Sequence, residues 1–574
     1  MKRKSTLKWI WSVTGNVKWL VGILTMVQMV LSVNSIVVAF VLRRVINVAM
    51  AGAQRKFWNT VILLAGVLLL QMLLSALNRF ANEYTETVVE NRFKQWLFSA
   101  LLTGKYASVT AVHSGEWMNR LTSDTTVVAG GVTQIVPDMI SMLIRLIGGL
   151  VAILWLEPWF IYILVPGGMA MLLLTYGFRK ILKRLHKSVQ EADGTLRIFL
   201  QEHLESLLIV RSFVKEQQTA IKADELMKRH RATRLKQSNF SNLCNLGFAG
   251  AVNGAYVLGI SFCGLEILNS TMNYGDLMAI IQLIGQVQSP FANIVGLFPR
   301  YYAMLASAER LLEAKNFEPD STKLLSEKQV QKFYQTDLRA IHLNDIGFTY
   351  RSPVQTKKVL LMPGVLEHMN LTIQKGEYVA FVGPSGCGKS TVLKLIMCLY
   401  PLDSGTRILE TKEGMQPLTA SWRSLFAYVP QGNQLLSGTV REIIAFGDQQ
   451  KAEDEEEIYR AIRIACAEEF VRKLDKGLDT LLGEHGQGLS EGQMQRIAIA
   501  RAIFSGHPIL ILDEATSALD ERTAEKLLEN LRRMTDKTVL MVTHRVDQTR
   551  FFDKRFWFSK EGVWQIEDRR KMGF

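Results

Sequence analysis

The sequence predicts a multidomain chain: an all-α six-helix transmembrane domain followed by an α/β P-loop nucleotide-binding domain. Three observations predict it. Uncharged stretches of membrane-spanning length crowd the chain before Arg300, charge and turn residues rise after it, and an apolar strand then runs into the glycine-rich loop GPSGCGKST at 383–391. The boundaries read as 1–310 for the membrane domain, 311–340 for a linker and 341–574 for the nucleotide-binding domain.

Composition bounds the alternatives. At 574 residues and 48% hydrophobic, the chain is too long for one ordinary domain and too apolar to be uniformly soluble. Its net charge of +14 fits basic cytoplasmic loops beside lipid headgroups, and nucleic acid is not expected as a partner. The five cysteines are scattered without a CxxC pair, which disfavours a metal site or a disulfide framework and suits the reducing cytosol. Lys2-Arg3-Lys4 resembles the start of a signal peptide, but the apolar run beyond it is too long and ends in no small-residue cleavage site, so it reads as a retained anchor. Leu7, Trp9, Ile10 and Trp11 suit a short helix at the membrane interface, with the tryptophans at headgroup depth.

Five spans read directly from uncharged stretches: 19–42, 57–78, 158–178, 237–265 and 277–299. A sixth is placed at 133–156, where Asp138 and Arg145 interrupt the apolar run. Six spans put both termini on one side. Arg179, Lys180, Lys183, Arg184, Lys187, Lys228, Arg229, Arg231, Arg234 and Lys236 crowd the segment between the fourth and fifth spans and mark that side as cytoplasmic. The first outside loop fits less well, because it carries Arg43, Arg44, Arg55 and Lys56. Segments 79–131 and 179–236 keep a helical rhythm without being apolar enough for lipid, so the membrane helices are expected to extend into the cytosol and dock there by their turns.

Polar residues inside spans point to a transport path, since each is costly in lipid unless it faces protein or water. Gln282, Gln286, Ser289 and Asn293 share one face of the sixth span, Gln28, Ser32 and Ser35 one face of the first, and Asp138 and Arg145 lie seven apart in the third. These patterns suit either cavity lining or helix-to-helix hydrogen bonds with an intramembrane ion pair. Arg145 is the first candidate for contacting cargo and favours a cargo with an anionic group; Gln282, Gln286 and Asn293 are the others. Pro166-Gly167-Gly168 and Pro290 are expected to loosen or kink their helices.

In the second half, Tyr378 to Val382 forms the strand before the loop Gly383, Pro384, Ser385, Gly386, Cys387, Gly388, Lys389, Ser390 and Thr391. Such a loop lets backbone N–H groups and a helix N-terminus face the phosphates of ATP, with Lys389 meeting the β and γ phosphates and Ser390 the Mg²⁺. Cys387 reads either as a small filler or as a thiol near bound phosphate. A second apolar strand, Ile509 to Leu512, ends in Asp513-Glu514, which places one carboxylate on Mg²⁺ and the next as general base toward water.

Leu489-Ser490-Glu491-Gly492-Gln493 resembles the LSGGQ signature of the ABC superfamily, and Gln495 to Ala502 continues as that family expects. Phe348-Thr349-Tyr350 resembles its aromatic loop, Val429-Pro430-Gln431 its glutamine loop, Ser517-Ala518-Leu519-Asp520 its D-loop and Thr543-His544-Arg545 its switch histidine. Ser114 to Asp124 and Glu205 to Glu216 resemble the coupling segments of exporter-type membrane domains, and Gly483-Glu484-His485-Gly486 the segment that touches a partner's coupling helix. The likeness covers nearly the whole chain and implies an exporter-type half-transporter in a bacterial plasma membrane, its ATP-binding domain in the cytoplasm.

The resemblance further implies that Tyr350 stacks adenine, that Gln431 links the metal and the attacking water to the membrane domain, and that His544 contacts the γ phosphate. Ser490, Gly492 and Gln493 are implied to reach ATP held by a second half-transporter, with Asp520 communicating across the interface. Glu491 departs from the usual Gly and brings a negative charge near a polyphosphate. A homodimeric exporter is the leading expectation, because Glu514 is present; a heterodimer with one weak ATP site and an ATP-gated channel or sensor are the rivals. No cysteine-protease domain is expected before the first span, and peptide, lipid, drug-like and glycan cargoes all stay open.

Overall fold

The computed structural model describes residues 2–112, 114–269, 271–320, 325–350, 365–432, 435–483, 488–545, 547–559 and 564–568. The chain divides into two compact units, Met1–Leu97 with Asn119–Leu312, and Phe98–Met118 with Glu313–Phe574.

Six long helices make the first unit: Lys18–Met50, Gln54–Thr103, Thr125–Leu156, Ile161–Glu205, Glu216–Leu268 and Tyr274–Glu313. The 50 residues of the second would run roughly 75 Å at 1.5 Å per residue, far more than a hydrocarbon core about 30 Å thick. Among the described residues, three helices are apolar enough over a sufficient length to cross a membrane: Ser5–Met50, Gln54–Thr103 and Ser114–Leu156. Ala39, Ile153, Phe160, Cys263, Ile280 and Leu283 are buried together, joining four of the long helices. Helical backbone continues through Pro137, Pro290 and Pro299, and through 166–168. A single π-helical turn, Arg120–Asp124, precedes Thr125; there the buried Asp124 accepts from Ser307 Oγ at 2.9 Å and from Arg310 Nε at 2.7 Å.

The N-terminal segment is a helix, Lys2–Thr14, and its Trp9 packs inward on the protein. Its ring is buried against Phe93 and Trp96, at centroid distances of 5.8 and 5.0 Å, because a large aromatic gains more from packing than from the interface; Trp11 remains exposed.

The second unit holds two main sheets. The first runs β2 (Leu366–Gln374), β1 (Leu338–Phe348), β4 (Ser404–Thr411) and β5 (Met415–Pro417), all antiparallel. The second has the order β12 (Trp564–Asp568), β11 (Lys554–Phe558), β3 (Tyr378–Val382), β10 (Thr538–Val542), β9 (Ile509–Asp513) and β6 (Phe426–Val429). Only β12 is antiparallel in it. A parallel sheet covered on both faces needs continuous apolar runs, and β3, β9 and β10 are buried at every position. A short pair, β7 (Gly438–Thr439) with β8 (Leu481–Leu482), completes the strands described.

The stretch read as a linker contains a ten-residue helix, Glu327–Thr336. Ser326 and Gln329 form a reciprocal capping box at its start, and its buried Tyr334 places a hydroxyl 2.9 Å from Thr538 Oγ1. One buried face is enough to dock a short capped helix in this polar stretch.

The turn after the second long helix also packs within this unit. Asp320 N donates to Thr103 O at 2.8 Å, Lys105 pairs with Glu318, and the Tyr106 ring stands edge-on to Tyr400 at 5.6 Å. The residues that pack here begin at Thr103, ahead of the Ser114–Asp124 match, of which Trp117 joins in through Phe317.

Candidate functional site

Open α/β sheets present ligand sites at the carboxyl ends of their parallel strands. Here the ends of β3, β9, β10 and β6 carry the phosphate loop, Asp513-Glu514, Thr543-His544 and Gln431 respectively.

Two glycines of the loop are fixed by geometry. At Gly383, φ is +149°, and a Cβ would lie 2.3 Å from Phe558 O; at Gly388, φ is +92°, and a Cβ would meet Leu366 at 2.8 Å. Gly388 starts the helix Lys389–Ile396 without a side-chain cap, so the first N–H groups of that helix stay available to an anion. Lys389 is 5% exposed, and its ammonium donates to Gly383 O at 2.8 Å and Pro384 O at 2.7 Å. No carboxylate pairs with it among the described residues. A buried cation held by loop carbonyls and the Cys387 sulfur, beside an uncapped helix start, fits a polyphosphate.

Ser390 Oγ donates to Asp513 Oδ1 at 2.8 Å, and the Tyr428 hydroxyl donates to Asp513 Oδ2 at 3.1 Å. Burial pushes the Asp513 carboxyl up, and these two hydrogen bonds pull it back down. A hydroxyl and a carboxylate in direct contact at the loop's helix form an oxygen-donor set of the kind Mg²⁺ takes.

Glu514 follows with φ at +53°, an uncommon value for a non-glycine residue. Its backbone N–H bonds Val542 O at 3.2 Å and its carbonyl accepts from Gln495 Nε2 at 3.2 Å. The carboxylate takes Gln431 Nε2 on Oε2 at 2.9 Å and His544 Nε2 on Oε1 at 2.8 Å. Three residues singled out from separate motifs therefore meet at one carboxylate.

Tyr350 reaches Thr391 Oγ1 with its hydroxyl at 3.2 Å and stands edge-on to Tyr400 at 5.4 Å. Cys387 is half-buried, its thiol on Pro384 O at 2.8 Å, while Ser385 is exposed at the loop tip.

The signature lies at the start of the helix Glu491–Phe504. Ser490 caps it, accepting from Gln493 N at 3.3 Å while Gln493 Oε1 accepts from Ser490 N at 2.8 Å. Gly492 packs so closely on the D-loop that a Cβ would lie 2.7 Å from Ala518 O. Glu491 is exposed in the first turn, where the helix dipole favours an acid. Asp520 caps the helix Glu521–Arg532 through Thr523 N at 2.9 Å, which lowers its carboxyl below the usual range. Of the exporter-type segment before the signature, Glu484, His485 and Gly486 lie outside the described residues.

In the helical unit, a cavity of 430 Å³ is lined by Gln28, Asn78, Asp138, Ser141, Arg145 and Arg300, among others. Asp138 and Arg145 both line the cavity, one of the two readings open for them, and form no ion pair with each other. Asp138 instead accepts from Gln28 Nε2 at 3.5 Å, and Arg145 Nε donates to Ser32 Oγ at 3.4 Å. Gln282 and Gln286 are not among the described residues lining the cavity. Gln286 ties two helices together, donating to Ser35 O at 2.6 Å and accepting from Ser35 Oγ at 3.1 Å. The side chain of Asn293 lies outside the described ones.

Sequence reasoning missed Asn78, the last residue of the span read at 57–78, Arg300, just past the span read at 277–299, and Tyr428. No residue near Tyr428 in the sequence marks it as a partner of Asp513.

A loop closed around a buried lysine, facing two consecutive carboxylates across a parallel sheet, defines a nucleotide-binding domain, and here it is fused to a helical membrane domain. The family description "ABC transporter transmembrane region" matches residues 21–291, and "ABC transporter" matches 366–517. An ATP-dependent lipid A-core flippase of Desulfotalea psychrophila is 30% identical over 440 residues, 75% of this chain and 73% of that protein. The mitochondrial ATP-binding cassette sub-family B member 10 of Mus musculus is 29% identical over 94% of this chain and 75% of its own length. A solved bacterial Atm1-family ABC exporter with ATP bound shares the fold at a TM-score of 0.78 and 20% identity, covering 96% of this chain and 95% of that one. The chain belongs to the ABC transporter family, as an exporter-type half-transporter and a multi-pass membrane protein.

Proposed function

We propose that the chain is one half of an ATP-driven exporter that pairs with an identical copy, hydrolyses ATP and moves its cargo out of the cytoplasm by alternating access. The observation that carries this reading is the Glu514 carboxylate, held by Gln431 and His544 beside the Ser390 and Asp513 pair. One chain thus supplies a base, a metal carboxylate and a phosphate loop.

In this reading Gly383 to Thr391 wraps the phosphates, Lys389 meets the β and γ groups, and Tyr350 stacks on adenine. Ser390, Asp513 and Gln431 would hold Mg²⁺, which when bound neutralises charge on the phosphates. Glu514 orients a water and takes its proton as the γ phosphate transfers. His544 is engaged by Glu514 here, so it must turn away from that carboxylate to contact phosphate. Ser490, Gly492 and Gln493 contact the ATP held by the second copy, and Asp520 faces the shared interface.

The 430 Å³ cavity supports an amphipathic cargo with an anionic group, because Arg145 and Arg300 outnumber Asp138 among its charged lining residues. The flippase likeness is compatible with a lipid.

The test is the mass and ATP turnover of the purified chain expressed alone. A dimer with activity that disappears in Glu514→Gln is expected; an inactive monomer would sink the homodimer. Glu491, exposed at the signature helix, favours the heterodimer as second reading, in which this chain lends a weak signature to a different partner. Concentrative ATP-dependent flux in vesicles separates either exporter from an ATP-gated channel or sensor.

A further inference from the structure

The two consecutive carboxylates at the end of β9 are both held from one neighbouring strand. β6 runs parallel to β9, with Tyr428 opposite Ile511 and Val429 opposite Leu512. From its end the Tyr428 hydroxyl reaches Asp513 Oδ2 at 3.1 Å, and Gln431, three residues on, reaches Glu514 Oε2 at 2.9 Å. Ser390 takes the other oxygen of Asp513 at 2.8 Å. Asp513 is 1% exposed, so water does little to hold its orientation. Rotation of the carboxylate about its own bond would break both hydrogen bonds at once.

The Tyr428 ring is half-buried, packing against the core between the sheets. Phenylalanine would serve that packing equally well. The hydroxyl has a separate purpose: it donates, and a carboxylate oxygen can only accept.

We propose that Tyr428 is a positioning residue for the metal carboxylate, fixing the rotation of Asp513 so that the oxygen nearest Ser390 faces the ion. The inference rests on the reading of Ser390 and Asp513 as the Mg²⁺ side chains. Outer hydrogen-bond partners of metal-ligating carboxylates typically contribute about 10- to 100-fold in metal affinity or activity. Because Tyr428 and Gln431 share a strand end, one short segment orients both the metal carboxylate and the base.

The experiment measures binding of a fluorescent, non-hydrolysable ATP analogue to the detergent-purified full chain by anisotropy, with Mg²⁺ titrated from an EDTA baseline. Wild type and Tyr428→Phe are compared. The Mg²⁺ concentration for half-maximal binding is expected to rise about tenfold in Tyr428→Phe, with metal-free affinity and melting midpoint unchanged. An unchanged Mg²⁺ midpoint overturns the proposal, and so does an equal loss of affinity with and without metal, which marks a packing defect. If wild type itself binds the analogue without regard to Mg²⁺, the metal-site reading fails along with it. A Mg²⁺-dependent wild type beside an unshifted Tyr428→Phe removes only the role of Tyr428.

Discussion

His544 Nε2 donates to one oxygen of Glu514 at 2.8 Å while Gln431 Nε2 donates to the other at 2.9 Å, so the candidate base is gripped from two strand ends. Removing the base should cost roughly 10²- to 10⁴-fold in ATP turnover, the usual range for general acid–base catalysis, while nucleotide still binds. In the proposed cycle His544 also leaves that carboxylate to contact the γ phosphate, a role that Glu514→Gln does not remove. Glu514→Gln combined with His544→Ala should therefore turn over ATP more slowly than Glu514→Gln alone. Turnover rates of the two variants decide it; an equal rate would show that His544 acts only through Glu514.

Lys389 is buried against two loop carbonyls with no carboxylate beside it among the described residues. Its charge is then matched only when phosphate arrives. Losing charge-assisted hydrogen bonds of about 1.5–3 kcal/mol should weaken ATP binding roughly 10- to 100-fold in Lys389→Ala. Saturating ATP raises the melting midpoint of a protein that binds it. That rise should be clearly smaller in the variant than in wild type at the same ATP concentration, and an equal rise would refute the role of Lys389.

Cys387 lies on the phosphate loop with the Lys389 ammonium 3.7 Å from its sulfur, and burial pushes the Cys398 and Cys466 thiols up. A raised thiol is less ionised at a given pH, and the thiolate is the reactive form. Near pH 7 a maleimide should therefore label Cys387 ahead of Cys398 and Cys466, whose labelling should climb only as pH rises further into the alkaline range. ATP should protect Cys387, and its alkylation should stop ATP binding. Peptide mapping by mass spectrometry checks the order; modified Cys387 with full ATP binding would misplace the loop.

Arg145 and Arg300 line the cavity of the helical unit with Asp138 as their acidic neighbour. If the cargo is anionic, Arg145→Ala and Arg300→Ala should each raise the cargo concentration that half-stimulates ATP turnover, by about tenfold for a lost charged contact. Asp138→Asn should lower it, because it removes the repelling charge. An untargeted screen for stimulating compounds supplies the cargo, and the same direction of shift in all three variants would refute the electrostatic reading.

Much of the nucleotide site was legible because it is written in contiguous words. Gly383 to Thr391 is one loop, Asp513 and Glu514 are adjacent at the end of an apolar strand, and Ser490 caps its helix within four residues of Gln493. Local geometry of this kind depends on backbone sterics and near neighbours, so spacing alone reveals it. Tyr428 was not legible. Nothing near it in sequence asks for a donor, and only the pairing of β6 with β9 brings its hydroxyl to Asp513, 85 residues away in the chain.

The same division runs through the membrane domain. Long uncharged stretches made the helices predictable, because lipid demands both length and internally satisfied backbone. Which polar residue faces which neighbour was left open. Asp138 and Arg145 are seven apart on one helix, and each makes a hydrogen bond to another helix, at Gln28 and Ser32. Gln286 reads as cavity lining on a helical wheel and is in fact a tie to Ser35.

By itself, then, the sequence determined the two-part architecture, the phosphate loop, the paired carboxylates and the family, since each follows from composition or from residues close together in the chain. Tertiary structure alone decided that Gln431 and His544 converge on Glu514, that Tyr428 steadies Asp513 and that Arg300 joins Arg145 at one cavity. Those relationships depend on strand order and helix packing, which bring together residues that no local pattern connects.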